Sequence, residues 1–445
     1  MITTILIFLA VILPVIILST LVWKSINLTW LNQLCRWLII SLPFERIPSI
    51  PVGSSNIRIS QVLTLIGCYF VIVLLLKKDP QLLRIKLNSI FWLSIAFFVT
   101  SLGSLYFVKD LNRYLTTEIA TIICFLASIL VSHFTIDPSK RIKEFLLSIV
   151  IVCSFGVWQF VGDLAGLPTM LTGLREQYTK IVFGFPRIQG TAIEPLYFGG
   201  MLLVPLFLTL SKIFDDLKYQ KLYRAILHFS FIFIVFILTL SKGAWLAFGI
   251  GLGLYLVYNS KSLWLKFIDL KLASFLKIIF TLVVVLAGAY FLFTPLRAGV
   301  DTTVNHVLAT FDGNSTTIVE RSRFVDGALE LLQTNPILGI GGGQYGTNFE
   351  LGSDGGFLIV NNAYLEVWLE HGLFALIVFC LFLFLPIFKL LKTKSPKNDW
   401  IVSGLIFGLI SYYVQWFTFS PVFIMPIFIL VGLAFCYAQN ADIKL

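Results

Sequence analysis

Arg187 stands where the chain enters an apolar stretch, within the segment 185–195. Gly190 and Pro195 make this entry irregular, and free backbone N–H groups at such an entry can join a guanidinium in holding a phosphate. The alternative is an arginine at a membrane surface that pairs with Glu194. We favour the anion site, because Glu194-Pro195 is a costly way to enter an apolar layer.

Lys242 is the only charged residue between Ala225 and Tyr258. As one helix these residues would reach about 51 Å, whereas the apolar layer of a bilayer is about 30 Å thick. The chain must therefore turn, and Ser241-Lys242-Gly243 is where it can. Two interpretations stay equally open. Lys242 anchors the chain at the membrane surface, or it is a cation that binds an anion at the mouth of a cavity.

The segment 361–371 carries a third set of polar side chains. At 100° per residue it presents two polar faces, one with Asn361, Tyr364, Trp368 and His371, the other with Asn362, Glu366 and Glu370. Amide, carboxylate and aromatic groups suit a hydroxyl-rich ligand such as a sugar. Taken in isolation, a solvated helix end is the favoured interpretation.

Other motifs carry less chemistry. The run from Gly341 to Gly346 matches GxGxxG, but no strand precedes it, so we expect a close-approach loop and not a dinucleotide site. The six cysteines form no CxxC or Cys/His group, and no metal site is predicted.

The elements that must position these residues are membrane helices. The 445 residues are 58% hydrophobic and 13% charged, against about 25% charged in soluble domains, which excludes a soluble or disordered chain. We predict an all-α polytopic membrane helix bundle, one integral membrane domain over 1–445. About twelve spans are expected at 3–23, 59–76, 88–108, 117–136, 143–162, 190–211, 225–241, 243–258, 273–293, 372–388, 401–418 and 421–438. The stretch 28–43 is too short and carries Arg36, so we place it at the membrane interface, with a thirteenth span still open.

Lysine and arginine placement orients the bundle. With both termini in the cytoplasm, the short inner loops hold eighteen basic residues and the short outer connections six, as the positive-inside rule requires. The net charge of +10 thus needs no nucleic acid. The one large loop, 295–371, lies between spans nine and ten on the outer face. We predict an amphipathic helix there from Thr317 to Gln333, and we expect the chemistry on that face.

Four blocks in order resemble the O-antigen ligase and O-antigen polymerase family of bacterial envelope glycan enzymes. They cover about residues 185–375 and are Arg187-Ile188-Gln189-Gly190-Thr191 before Pro195, Ser241-Lys242-Gly243-Ala244-Trp245, Asn335-Pro336-Ile337-Leu338-Gly339-Ile340-Gly341, and Asn361-Asn362-Ala363-Tyr364-Leu365 with Gly372.

The resemblance implies a glycosyltransferase of the bacterial inner membrane. Its donor would be a glycan on undecaprenyl diphosphate, its acceptor a glycan or lipid-linked hydroxyl, and it would use no metal or other cofactor. Membrane lipids and a chain-length regulator are the further expected partners. By the same resemblance Arg187 holds the diphosphate, Lys242 replaces an arginine of the family with a point charge, and Arg323 matches an outer-loop arginine.

The resemblance breaks at Asn361, where ligases of the family carry a histidine as proposed general base. Asparagine cannot accept a proton, and His371 lies about 15 Å further along a helix. This departure favours a polymerase over a ligase. The base could instead be Glu366, Glu370 or Glu194. The predicted catalytic residues are Arg187, Lys242, Asn361 and Glu366; the predicted substrate-binding residues are Arg187, Lys242, Arg323, Glu194, Asn362 and Tyr364.

The predicted function is polymerisation of undecaprenyl-diphosphate-linked repeat units for O-antigen or exopolysaccharide. One alternative is a ligase that moves finished glycan to lipid A–core or another acceptor. Another is a transporter, for inorganic carbon or the lipid-linked glycan, but transporters place polar groups near the bilayer midplane, whereas here they gather at one face. A non-catalytic envelope scaffold is the weakest alternative.

Overall fold

The computed structural model describes residues 26–52, 55–175, 186–192, 194–216, 222–269, 316–348, 359–393, 399–420 and 424–443. In this part helices dominate and one hairpin is formed. In chain order the elements are α1 Leu28–Ile40, β1 Ser49–Val52, β2 Ser55–Arg58, α2 Ile59–Leu76, α3 Pro80–Leu83, α4 Ser89–Ser101 with a 3-10 turn Leu102–Phe107, α5 Leu111–Phe134, α6 Pro138–Leu164, α7 Thr169–Thr172, α8 Pro195–Asp216, α9 Leu222–Leu238, α10 Lys242–Asp269, α11 Thr316–Leu332, α12 Tyr345–Asn348, α13 Ala363–His371, α14 Leu373–Leu391, α15 Trp400–Gln415 with a 3-10 turn Trp416–Thr418, and α16 Met425–Ile443.

The helices are those of a membrane bundle. Seven are long and apolar enough to cross a membrane, namely α2, α4 with its 3-10 turn, α5, α6, α8, α14 and α15 with its 3-10 turn. Two further apolar segments are shorter, namely α9 and Met425–Ala441 of α16. The predicted all-α polytopic membrane bundle is thereby confirmed. Predicted spans 3–23 and 273–293 lie outside the described residues, and each of the other ten falls on a helix.

Helices α8 and α15 pack closely at the centre of the bundle. A Cβ added at Gly404 would lie 2.6 Å from the Cα of Leu208, and one added at Gly408 would lie 2.7 Å from the Cα of Val204. Gly404 and Gly408 are four residues apart and so share one face of α15. Between apolar helices in lipid, association depends on van der Waals packing, which small residues of this kind permit.

The stretch 28–43 begins with α1, which packs against the bundle; its predicted place at the membrane interface stays a prediction. Helix α1 has 13 residues, about 20 Å, and buries Leu31, Cys35 and Leu38 completely. The one charged residue of α1, Arg36, forms an ion pair with Glu144 of α6 at 3.2 Å. The Arg36 side chain stays 38% exposed, so the pair joins α1 to α6 without burying the guanidinium.

The same segment joins the two ends of the bundle. Near its start, Asn32 Oδ1 accepts a hydrogen bond from the N–H of Ile136, just before α6, at 2.9 Å. Beyond α1, Arg46 donates to the carbonyl of Gly173, which follows α6. Helix α6 has 27 residues, about 40 Å, so residues 26–46 run along its length. We call the end at Ile136 the lysine-rich end and the end at Gly173 the site end.

Candidate functional site

The loop 187–191 lies at the site end and is held from two sides. The Gln159 side chain of α6 is fully buried; its Oε1 accepts from the N–H of Gly190 at 2.8 Å and its Nε2 donates to the Gly190 carbonyl at 3.0 Å. On the other side the N–H of Ile188 donates to the carbonyl of Leu238, at the end of α9, at 3.3 Å. The irregular entry before α8 is therefore fixed, and Arg187 with it.

Lys242 is the first residue of α10, directly after the turn that the sequence predicts between two helices. Leu240 adopts a left-handed conformation in that turn, with φ of 50°. A Cβ added at Gly243 would lie 2.6 Å from the Oγ1 of Thr418. The start of α10 thus packs against the 3-10 turn that follows α15, and Lys242 lies at that contact.

Arg321 of α11 completes a group of three cations. Its Nη1 donates to the carbonyl of Thr418 at 3.2 Å, and the charges of Arg321 and Arg187 both act on Lys242. Glu194 is near enough to act on Arg321; burial lowers the pKa of this guanidinium and Glu194 raises it. We call Arg187, Lys242 and Arg321 the cation cluster. Mutually repelling cations kept together at one place are suited to a multiply charged anion.

The predicted residue Arg323 lies elsewhere. It is two positions after Arg321, about 200° around the helix, and its side chain is exposed. The structure therefore brings Arg321, and not Arg323, into the cation cluster. Helical periodicity is the physical reason, because residues two apart on a helix face nearly opposite directions.

A buried carboxylate, Glu366 of α13, lies near the end of the 3-10 turn that follows α15, since Ser420 is close enough to lower the pKa of Glu366. Its Oε2 accepts from the N–H of Val360 at 3.1 Å. Burial and the neighbouring Glu370 raise the pKa of Glu366. The charges of Glu366 and Glu194 both act on Tyr197 at the start of α8. A carboxyl with a raised pKa can take up a proton near neutral pH.

The residues around Glu366 mainly hold α13 in place. Asn361 is left-handed, with φ of 61°, and Asn362 caps α13, its Oδ1 accepting from the N–H groups of Tyr364 and Leu365 at 3.1 Å each. The Tyr364 hydroxyl donates to the carbonyl of Tyr413 of α15 at 3.0 Å. The structure thus gives Asn362 and Tyr364 structural contacts, and their substrate-binding roles stay predictions.

The glycine-rich loop 339–346 wraps the end of α13. Glu370 accepts from the N–H of Gly343 at 2.8 Å and of Tyr345 at 3.2 Å. Gly372 has φ of 89°, and a Cβ there would lie 2.3 Å from the carbonyl oxygen of Ile337. Helix α11, and not a strand, precedes the loop. The prediction of a close-approach loop in place of a dinucleotide site agrees with this geometry.

Several residues of the site were not found from the sequence. Thr418 and Ser420 fall at the end of one predicted span and in the short connection to the next, yet Thr418 accepts from Arg321 and Ser420 lies near Glu366. Glu118 of α5 faces His371 at the end of α13, and Arg113 of α5 acts on Glu370. A carboxylate near the start of an apolar run was the one signal for Glu118. In the described part of the chain no group of three His, Cys, Asp or Glu is arranged to hold a metal ion.

Comparison with known families supports the resemblance. Residues 227–380, about a third of the chain, match the family described as O-antigen ligase. This part includes Lys242, Arg321 and Glu366 and ends within α14. The predicted likeness to O-antigen ligases and polymerases is confirmed over these residues. None of the curated proteins compared with the chain matches it significantly.

Proposed function

We propose that this chain is a membrane glycosyltransferase that polymerises undecaprenyl-diphosphate-linked oligosaccharide repeat units. The observation that carries the proposal is the cation cluster, in which Arg187, Lys242 and Arg321 come from three separate segments to one place. The match to the O-antigen ligase family supports an O-antigen ligase or polymerase type of membrane enzyme. The finer assignment, with its donor and acceptor, is our proposal.

The reaction would exchange one bond at a sugar carbon for another. The acceptor hydroxyl oxygen attacks the anomeric carbon of the donor, and the bond between that carbon and the diphosphate oxygen breaks with its electron pair going to the diphosphate. Negative charge grows on the leaving group, and fixed cations lower the barrier most when they stand where that charge develops. Arg187, Lys242 and Arg321 would supply that stabilisation from the protein itself, with no metal or other cofactor.

Glu366 is our proposed base for the acceptor hydroxyl. It lies near Ser420, two residues after Thr418, whose carbonyl accepts a hydrogen bond from Arg321 of the cation cluster. Glu370 accepts from two backbone N–H groups of the glycine-rich loop, against one from Val360 for Glu366, and Glu194 acts on Arg321. Asn361 would contribute position and not proton transfer.

The choice of polymerase over ligase depends on Asn361. The resemblance implies a histidine base at this position in ligases, and an asparagine cannot replace it. The matching family is described as O-antigen ligase, which supports the ligase alternative. In either case we propose residues 185–375 as the enzymatic core and the outer face of the bacterial inner membrane as its place of action. The loop 295–371 would cover the acceptor glycan, and a chain-length regulator would be a partner.

The experiment uses the full chain in liposomes with a lipid-diphosphate-linked oligosaccharide. A polymerase lengthens the glycan on the donor lipid alone and releases free lipid diphosphate, whereas a ligase releases it only when lipid A–core or another acceptor is added. Lys242→Ala and Arg187→Ala should abolish product. Lys143→Ala, an exposed lysine at the lysine-rich end, is the matched control and should remain active. Full activity of both site variants would refute the proposal.

A further inference from the structure

Three carboxylates and a histidine are buried together beside the site. Glu366 and Glu370 lie four residues apart on α13, so they share one face, and Glu118 faces them from α5. The exposed fractions of Glu366, Glu370 and Glu118 are 7%, 3% and 8%, and that of His371 is 1%. Buried acids at this density are rare in a protein interior.

We call Glu366, Glu370 and Glu118 the carboxylate row, or the row. The glycine-rich loop 339–346 covers part of it from one side. Gly343 donates to Glu370 at 2.8 Å, and a Cβ added at the preceding residue, Gly342, would lie 2.6 Å from the Oε1 of Glu118. Glu118 and Glu370 are therefore neighbours under the same two loop residues. Water has little access to either of them.

The Oε1 of Glu118 is buried and, in the described part of the chain, accepts no hydrogen bond. It faces the Nδ1 of His371 at 3.4 Å. A buried carboxylate oxygen without a donor is costly when ionised. If Glu118 is protonated, that cost disappears. The Glu118 oxygen without a donor is therefore a second observation that points to a proton held in the row.

The charges that face the row do not balance three ionised carboxylates. Arg113 of α5 acts on both Glu366 and Glu370. Burial lowers the pKa of His371 to about 4, so its ring is neutral at neutral pH. Tyr114, Tyr197 and Tyr345 are further titratable neighbours, and burial raises the pKa of Tyr345 to about 12. Among the described residues, Arg113 is the one cation whose charge acts on these acids, so full ionisation of all three would leave two buried negative charges uncompensated.

We propose that Glu366, Glu370 and Glu118 share protons as one row, in which a proton resident on Glu370 or Glu118 leaves Glu366 ionised to receive the proton of the acceptor hydroxyl. This inference rests on the proposed function, which supplies the acceptor hydroxyl. When the new bond to the sugar carbon forms, the O–H electron pair stays with the acceptor oxygen and the proton passes to Glu366. The proton leaves to water once the product has gone. Glu118 touches no substrate and is a positioning residue that acts through Glu370.

Infrared spectroscopy of the purified protein tests the resident proton without any substrate. We expect a buried carboxylic acid C=O band that persists at neutral pH and disappears only at alkaline pH. Glu118→Gln and Glu370→Gln should each weaken that band, while Glu330→Gln, an exposed acid on α11, should leave it unchanged. Absence of the band from the wild type at neutral pH would overturn the shared-proton row and leave the proposed function intact.

The pH profile of activity tests the link to Glu366. In Glu118→Gln one competing acid is gone, so Glu366 ionises more easily and the acidic limb of kcat/KM should move to lower pH by about half a unit or more. Glu370→Gln should move it in the same direction. A merely structural substitution would lower the rate at every pH and leave the limb in place, and that result contradicts the proposal. If the wild type makes no product while the band is present, the proposed function fails separately.

Discussion

Arg321 donates a hydrogen bond to the carbonyl oxygen of Thr418, 97 residues further along the chain, at 3.2 Å. This bond joins α11, which precedes the glycine loop, to the turn after α15. The start of α10 packs against the same turn through Gly243. The turn 416–418 therefore contacts Arg321 directly and also Gly243, the residue after Lys242.

The first prediction concerns Arg321 and its neighbour. Arg321→Ala should lower kcat/KM for glycan transfer about a hundredfold or more, because one fixed donor to a developing charge contributes that much. Arg323→Ala, on the exposed side of α11, is the matched control and should retain nearly full activity. The rates are measured in liposomes. The reverse ranking of the two variants would remove Arg321 from the site.

The second prediction concerns the junction between α13 and α14. Gly372→Ala should destabilise the protein by about 1–3 kcal/mol or more, because Gly372 has a backbone conformation that only glycine adopts easily, and its Cβ would lie 2.3 Å from the Ile337 carbonyl. Gly166→Ala is the control, since φ there is 74° but nothing lies within 4 Å of the added Cβ. Thermal unfolding in detergent should show the larger loss for Gly372→Ala. Equal losses would mean that the close approach contributes nothing.

The third prediction tests the contact between α8 and α15. Gly408→Ala should cost about 1–3 kcal/mol, because the added methyl group meets the backbone of Val204 at 2.7 Å and forces the helices apart. Gly253→Ala in α10 has open space around the new Cβ and should not destabilise. Thermal midpoints of the two variants give the comparison. If Gly408→Ala is as stable as the wild type, the helices do not approach as closely as described.

The fourth prediction separates capping from substrate binding at Asn362. Its side chain accepts from the N–H groups of two residues at the start of α13. Asn362→Ala should cost about 1 kcal/mol of stability and leave the KM for the donor unchanged, whereas Asn362→Asp should keep the cap. A raised KM in Asn362→Ala at unchanged stability would instead support the substrate contact that the sequence predicts.

The fifth prediction concerns pH. Burial lowers the pKa of His371 from its ordinary 6.5 to about 4. Between these values the unfolded chain binds the proton and the folded protein does not. The free energy of unfolding is therefore unaffected by His371 above pH 6.5 and decreases as the pH falls toward 4. His371→Gln, which cannot titrate, should lose less stability over that range. The thermal midpoint of each protein is measured from pH 7 to pH 4; parallel curves would contradict the prediction.

Much of the fold follows from the sequence. Long apolar runs must become helices in lipid, and ten predicted spans fall on helices. The turn at Ser241-Lys242-Gly243 follows from the length of one uninterrupted run. The packing of α1 could not be predicted, because an ion pair made with a distant helix, Arg36 with Glu144, is invisible in a local run of residues.

The site was predicted in part. The costly positions of Arg187 and Lys242 indicated a shared anion site, and the structure brings these residues together. The sequence did not separate Arg321 from Arg323, because periodicity shows which residues share a helix face but not which face docks. Glu118 was missed because the partner of a charge within an apolar run depends on how α5 and α13 pack.

Binding of a short-chain prenyl diphosphate to the purified protein tests the central claim most directly. Titration of the wild type in detergent should give saturable binding. Lys242→Ala and Arg187→Ala should each weaken it at least about tenfold, which corresponds to about 1.4 kcal/mol, while Lys143→Ala should bind as the wild type does. Equal affinity in all four proteins would contradict a cation cluster built to hold a lipid diphosphate.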